Sequence, residues 1–139
     1  MFVSLYLGEE LRGCLGHLDA DKPLGRAVAE MAVAAAREDP RFPPVTEQEL
    51  GDLSVEISVL STPEPAPPED VVPGRDGVLV RRGARQGVFL PQVATEQSWN
   101  RETLLTMVCR KAGLPDGAWR DRGCDLLVFR TQVLRRDAP

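Results

Sequence analysis

The chain has 139 residues, 42% of them hydrophobic and 27% charged, with a net charge of −4. Those values describe a soluble globular protein with room for one hydrophobic core, and they exclude a chain disordered throughout. No stretch approaches the ~18 consecutive apolar residues of a membrane-spanning helix, and the N-terminus MFVSLYLGEE lacks the basic start and small-residue cleavage site of a signal peptide, so a cytoplasmic location is expected. The charge is unevenly distributed: residues 1–70 carry 5 basic and 14 acidic side chains, residues 71–139 carry 12 basic and 7 acidic. Such a split fits either a surface for an acidic ligand in the second half or two halves folding against each other; the second reading asks for less.

In chain order, Phe2–Leu7 and Leu11–Leu15 flank Gly8-Glu9-Glu10 and predict a β-hairpin. From Pro23, the residues Leu24, Ala27, Val28, Met31, Ala32 and Ala35 recur at helical spacing, with Asp21 as the expected N-cap and Asp39-Pro40 as the stop. Arg41-Phe42-Pro43-Pro44 must be extended, because each proline pushes its predecessor out of the helical region. Thr46 to Glu49 then has the spacing of a capping box. Leu53 to Val59 alternates strictly, which predicts a strand with Leu53, Val55, Ile57 and Val59 on its buried face and Ser54, Glu56 and Ser58 on the wet one.

Residues 62–68 (TPEPAPP) hold four prolines, which predicts a stiff loop without ladder hydrogen bonds and makes 62–76 the candidate seam between subdomains. Gly77–Arg82 and Gly87–Leu90 predict a second hairpin ended by Pro91, leaving Gln92 and Glu96 in a loop. Asn100 caps a predicted helix over 101–112, closed by Gly113 and Pro115, and Leu126–Phe129 runs on through Thr131 and Val133 as a last strand. Hairpins with two main helices, without strict β-α-β alternation, give an α+β class with a mainly antiparallel sheet flanked by helices.

The chemistry-bearing residues are few. Cys14, Cys109 and Cys124 are odd in number and far apart, which suits neither a disulfide framework nor a closed zinc site, and His17 is the only imidazole. The most pointed string is Arg12-Gly13-Cys14-Leu15-Gly16-His17. Gly13 and Gly16 would let another molecule approach the backbone, and Arg12 would favour the reactive thiolate of Cys14. A strand sends Cys14 and His17 to opposite faces, so their pairing would require a bend at Gly16. The alternative is that Cys14 simply fills space, as Cys109 on an apolar helix stripe and Cys124 are expected to do. Glu56 is a candidate base. Arg75, Arg81, Arg82 and Arg85, opposed locally only by Asp76, form a basic hairpin that could contact phosphate, although no aromatic platform or phosphate loop accompanies it to indicate nucleic acid.

The strings LRGCLG, DPRFPPVTEQEL, LSVEISVLSTPEP, GVFLPQVATEQSW and CRKAGLPDGAW, in this order, resemble the AMMECR domain family, whose bacterial and archaeal members are called AmmeMemoRadiSam system protein A. The resemblance runs from about residue 2 to residue 130. It implies a larger and a smaller subdomain and a cleft lined by the LRGCLG strand, with Arg12, Cys14, Glu56, Gln92 and Glu96 as cleft candidates. It also implies partners: a Memo-type protein, similar to metal-dependent dioxygenases, and a radical SAM protein, in a shared modification pathway. It leaves the cofactor unknown, and the residues themselves offer no metal site. The family's usual N-terminal helical segment does not precede Phe2 here, and the expectation is either a start set too late or a surface, otherwise covered by that segment, that meets a partner chain or a second copy. Two readings of function follow: an accessory protein presenting the cleft and the basic hairpin to partners, or an enzyme using Cys14 as nucleophile or covalent carrier.

Overall fold

The structure, a computed structural model, describes residues 1–18 and 21–138. In chain order the described residues form β1 (Phe2–Leu7), β2 (Glu10–Gly16), α1 (Leu24–Arg37), β3 (Leu53–Leu60), β4 (Glu64–Pro65), β5 (Gly77–Arg82), β6 (Arg85–Phe89), α2 (Pro91–Gln97), α3 (Arg101–Lys111), β7 (Asp125–Phe129) and β8 (Thr131–Arg136). The strands make two four-stranded sheets, ordered β2-β1-β3-β8 and β4-β7-β5-β6, an α+β arrangement built on antiparallel pairs. The chain divides into two compact units, Met1–Val59 with Gln132–Pro139, and Leu60–Thr131. No helix among the described residues is long and apolar enough to cross a membrane.

In the first unit the hairpin turns at Gly8, whose φ of 62° lies in the region only glycine enters freely. Val3 and Leu5 on β1 and Leu15 on β2 pack with Val28, Met31 and Ala35 of α1. β2 can lie this close to the helix because it has a glycine opposite Leu5: a Cβ on Gly13 would overlap the carbonyl oxygen of Ala35. The other glycine is filled in the same way, since a Cβ on Gly16 would strike Met1 and the ring of Phe2. The close approach expected of another molecule at Gly13 and Gly16 is therefore made by the protein itself. α1 begins at Leu24 with Pro23 at its N-cap and no side-chain cap; Asp21, the expected cap, lies too far ahead to reach the first free N–H groups. The capping box of Thr46 and Glu49 forms as the spacing predicts, over a 3₁₀ turn at Glu47–Asp52.

In the second unit α3 packs against β5 and β6, and Val78, Val80, Leu104, Leu105, Val108 and Leu126 belong to its core. α3 has its expected cap, Asn100 accepting the N–H of Thr103 at 2.8 Å. Three expectations are corrected here. Pro91 opens the helix α2 instead of a loop, because its missing N–H is one the first helical turn would leave free anyway, so Gln92 and Glu96 are helical. The proline-rich segment does join a ladder: Glu64 and Pro65 pair with Val128 and Leu127 at the sheet's outer edge, where a missing donor costs little. The last apolar run is two strands, since β7 and β8 enter different sheets on either side of Arg130.

The contact at Gly13 gives a direct test. Gly13→Ala forces β2 off α1 and is expected to destabilise the protein by about 1–3 kcal/mol, read from the urea midpoint, whereas Gly25→Ala, with open space around it, leaves the midpoint unchanged or raised.

Candidate functional site

β2 is the outermost strand of the first sheet, so half of its backbone polar groups have no strand to pair with. At Cys14 the stretch just after α1 takes their place. The Cys14 N–H donates to Asp39 Oδ2 at 3.0 Å, and Arg41 Nη2 donates to the Cys14 carbonyl at 3.4 Å. Arg41 also grips Asp39, with Nε to Oδ1 at 3.0 Å and Nη2 to Oδ2 at 2.7 Å. Asp39 is 4% exposed, and the Arg41 bonds, followed by the backbone N–H groups of Cys14 and Arg41, hold its carboxyl well below the usual carboxylate range against the opposing effect of burial.

Two residues back, Arg12 is the extra residue of a bulge, because the register passes from Leu5 opposite Gly13 to Tyr6 opposite Leu11. Its guanidinium binds Glu49 with two N–H groups, at 2.8 and 3.1 Å, and reaches the carbonyls of Pro43 at 2.6 Å and Pro44 at 3.1 Å. Glu49 is held down at about 2, first by Arg12 and then by the Thr46 N–H. Arg12 is thus committed to the 43–49 segment, which corrects its expected role as activator of Cys14: the guanidinium beside Cys14 is that of Arg41, and it contacts the backbone. The bulge falls at Arg12, not at Gly16. His17 is exposed, and both of its described hydrogen bonds are backbone bonds to Met1.

The Cys14 side chain faces away from α1. Its sulfur accepts a hydrogen bond from Ser4 Oγ at 3.2 Å, and Ser4 is directly opposite both Cys14 on β2 and Glu56 on β3. Cys14, Ser4 and Glu56 therefore form one row across three strands, a thiol, a hydroxyl and a carboxylate. Glu56 is 17% exposed and has Arg135 Nη1 at 3.9 Å; the same guanidinium lies 5.3 Å from the Tyr6 ring. The expectation of a wet face is corrected, since Ser4, Ser54 and Ser58 are 8%, 6% and 2% exposed. Tyr6 and Phe2 are the cross-strand partners of Ser54 and Ser58, and a large ring directly opposite a small side chain shields it.

Among the candidates in the second unit, Gln92 is half-buried and Glu96 exposed on α2. The arginines of the basic hairpin have partners from distant sequence: Arg81 with Asp125 at 3.8 Å, Arg82 with Asp121 at 2.9 Å, and Arg85 with the Gly113 carbonyl at the end of α3. Their local excess of positive charge is compensated inside the unit. Cys109 and Cys124 are buried, and burial pushes both thiols up. Among the described residues, no three His, Cys, Asp or Glu side chains converge where a metal ion could be held.

Sequence reasoning missed Ser4, Asp39, Arg41 and Glu49. Ser4 was readable from the hairpin register once Cys14 was singled out; nothing in DPRFPP says whose N–H the aspartate caps. The pH dependence of stability tests that clamp. Because Asp39 titrates lower in the folded than in the unfolded chain, its stabilisation is present above about pH 4 and is lost as pH falls below it. Asp39→Asn is expected to lower stability near neutrality by about 1.5–3 kcal/mol and to flatten the fall in urea midpoint between about pH 4 and pH 2.

The AMMECR1 family model matches residues 1–134 of this chain. A protein of Thermofilum pendens is 44% identical over 94% of this chain and 64% of its own length, and one of Methanopyrus kandleri 42% identical over 100% and 72%. The chain thus spans less than two thirds of the first relative. The crystal structure of an uncharacterised protein from Pyrococcus horikoshii superposes with a TM-score of 0.89 at 38% identity, covering 99% of this chain and 73% of that one. The chain belongs to the AMMECR1 family.

Proposed function

We propose that this protein is an accessory component of a modification pathway shared with a Memo-type protein and a radical SAM protein, and that the row of Cys14, Ser4 and Glu56 is its working surface. The pathway rests on the family resemblance. The surface rests on one observation, the Ser4 hydroxyl directed at the Cys14 sulfur. A thiol whose backbone is bonded on one side by Asp39 and Arg41, and whose sulfur takes a hydrogen bond on the other, has a fixed position, which is what a recognition or reacting group requires.

The same contact favours a second reading, in which Cys14 is itself a nucleophile or covalent carrier. The Ser4 hydroxyl would then donate to the thiolate sulfur, Glu56 would assist removal of the thiol proton, and Arg12 would act only through the fold.

Iodoacetamide labelling followed by mass spectrometry separates the two readings. Cys109 and Cys124 serve as internal controls, since both should react only after unfolding. The nucleophile reading expects Cys14 alone to be alkylated in the native protein, with a rate that Ser4→Ala changes severalfold; a Cys14 that reacts only with the other two removes that reading. Pull-down with the Memo-type and radical SAM proteins tests the accessory role. Capture by the wild-type chain that weakens when Cys14 or Glu56 is replaced by alanine supports it, and failure of the wild-type chain to bind either protein overturns it.

A further inference from the structure

The second unit contains a cavity of about 500 Å³ whose lining includes Ser61, Thr62, Glu64, Asp70, Arg75 and Arg130. Its floor is organised by Asp76, which is 3% exposed and accepts from the Val72 N–H at 2.9 Å, from Arg75 Nε and Nη2, both at 3.0 Å, and from Arg130 Nε at 3.1 Å. Burial alone would raise this carboxyl, but the bonds from Arg75 and Val72, with Arg130 nearby, outweigh it and hold the group ionised. Two guanidinium groups therefore share one buried carboxylate. Asp70 also acts on Arg75, so the charge that Asp76 leaves least matched is that of Arg130.

The donors that remain point to what this charge receives. Arg130 uses only its Nε among the described residues, so its two Nη groups keep the fork that matches a carboxylate, and its side chain is 61% exposed. Ser61 Oγ accepts the Arg130 N–H at 2.8 Å, which leaves the hydroxyl proton free to donate. The lining is not simply cationic, because Glu64 and Asp70 also belong to it. Glu64 pairs with Val128, two residues before Arg130, so Glu64 and Val128 share a face of the sheet. No described residue pairs with the Glu64 carboxylate. A dianion such as phosphate would meet two like charges here, and a simple cation would meet two guanidinium groups. A ligand carrying both signs meets neither obstacle.

We propose that this cavity binds a small zwitterion, an α-amino acid or short peptide, with its carboxylate on Arg130 and Ser61 and its ammonium group on Glu64. The volume lies within the range of roughly 300–1,000 Å³ usual for small-molecule sites. The site is independent of the row around Cys14.

Isothermal titration calorimetry on the full chain at pH 7 tests this, with L-alanine, L-alanyl-L-alanine, acetate, methylammonium and inorganic phosphate as probes. The expected result is one site for at least one of the two zwitterions, with acetate and methylammonium about 10-fold or more weaker. Glu64→Gln should weaken the zwitterion about 10-fold, as loss of a charge-assisted contact predicts, while the thermal unfolding midpoint stays unchanged because the Asp76 network is untouched. Arg130→Lys, which keeps a cation beside Asp76 but removes the fork, should weaken it as well. No heat from either zwitterion at millimolar concentration, equal binding of acetate, tighter binding of phosphate, or a Glu64→Gln protein that binds as well as wild type each overturns the proposal.

Discussion

The first unit depends on how the free edge of β2 is closed. An edge strand offers unpaired N–H and C=O groups, and at Cys14 both are met by side chains, Asp39 accepting and Arg41 donating, in place of a neighbouring strand. One bulge further on, Arg12 draws in Pro43, Pro44 and Glu49. The LRGCLG and DPRFPPVTEQEL strings are thus two sides of one clasp. The prolines serve it directly: they cannot continue α1, the chain turns at 39–42 instead of running extended from Arg41 as expected, and the carbonyls of Pro43 and Pro44 are the ones the Arg12 guanidinium collects. Asp39 is the most demanding member, because it is buried and its charge has value only while Arg41 and the Cys14 N–H are in place.

The clasp uses up groups that would otherwise look functional. Arg12 has few donors left, and the spaces beside Gly13 and Gly16 are occupied by Ala35, Met1 and Phe2. Its consequence for chemistry lies on the opposite face of the same strand. With the Cys14 backbone fixed at both its N–H and its carbonyl, the sulfur has little freedom, and the Ser4 hydroxyl can meet it at 3.2 Å. The serines beside this row stay buried because Phe2 and Tyr6 face them, so the polar row lies in a sheltered setting in which a hydrogen bond counts for more than in water.

Much of the fold was legible in the sequence wherever a local rule decides the outcome. The strict alternation of Leu53 to Val59 gave a strand, the spacing from Leu24 to Ala35 a helix, and Thr46 with Glu49 a capping box, because each depends on neighbours within a few residues. The failures share a different cause. Leu126 to Val133 reads as one apolar run, and only the pairing of its two halves with different sheets breaks it at Arg130. Pro91 reads as a stop, yet at a first helical position it is a start. The face of Ser54, Glu56 and Ser58 reads as wet by composition, and it is the aromatic residues of a strand some fifty positions away that make it otherwise. Cys14 could be singled out from its own string; its partners could not, because Asp39 and Arg41 reach it through the turn of the chain after α1.

Charge follows the same logic. The basic excess of residues 71–139 suggested an outward-facing arginine surface on the second hairpin, but a sequence window counts only local neighbours. Asp121 and Asp125 enter from the far end of the unit to meet Arg82 and Arg81, and Arg85 closes the last turn of α3. Asp76, which a window count treats as cancelling one arginine of that group, does bind Arg75, and it binds Arg130 as well, fifty-four positions away. Pairing therefore gathers Arg75 and Arg130 around Asp76, on a lining that also holds Glu64 and Asp70. A buried carboxylate gripped by two guanidinium groups marks where a protein holds charge in a fixed place, whereas a run of arginines in sequence marks only where charge was encoded.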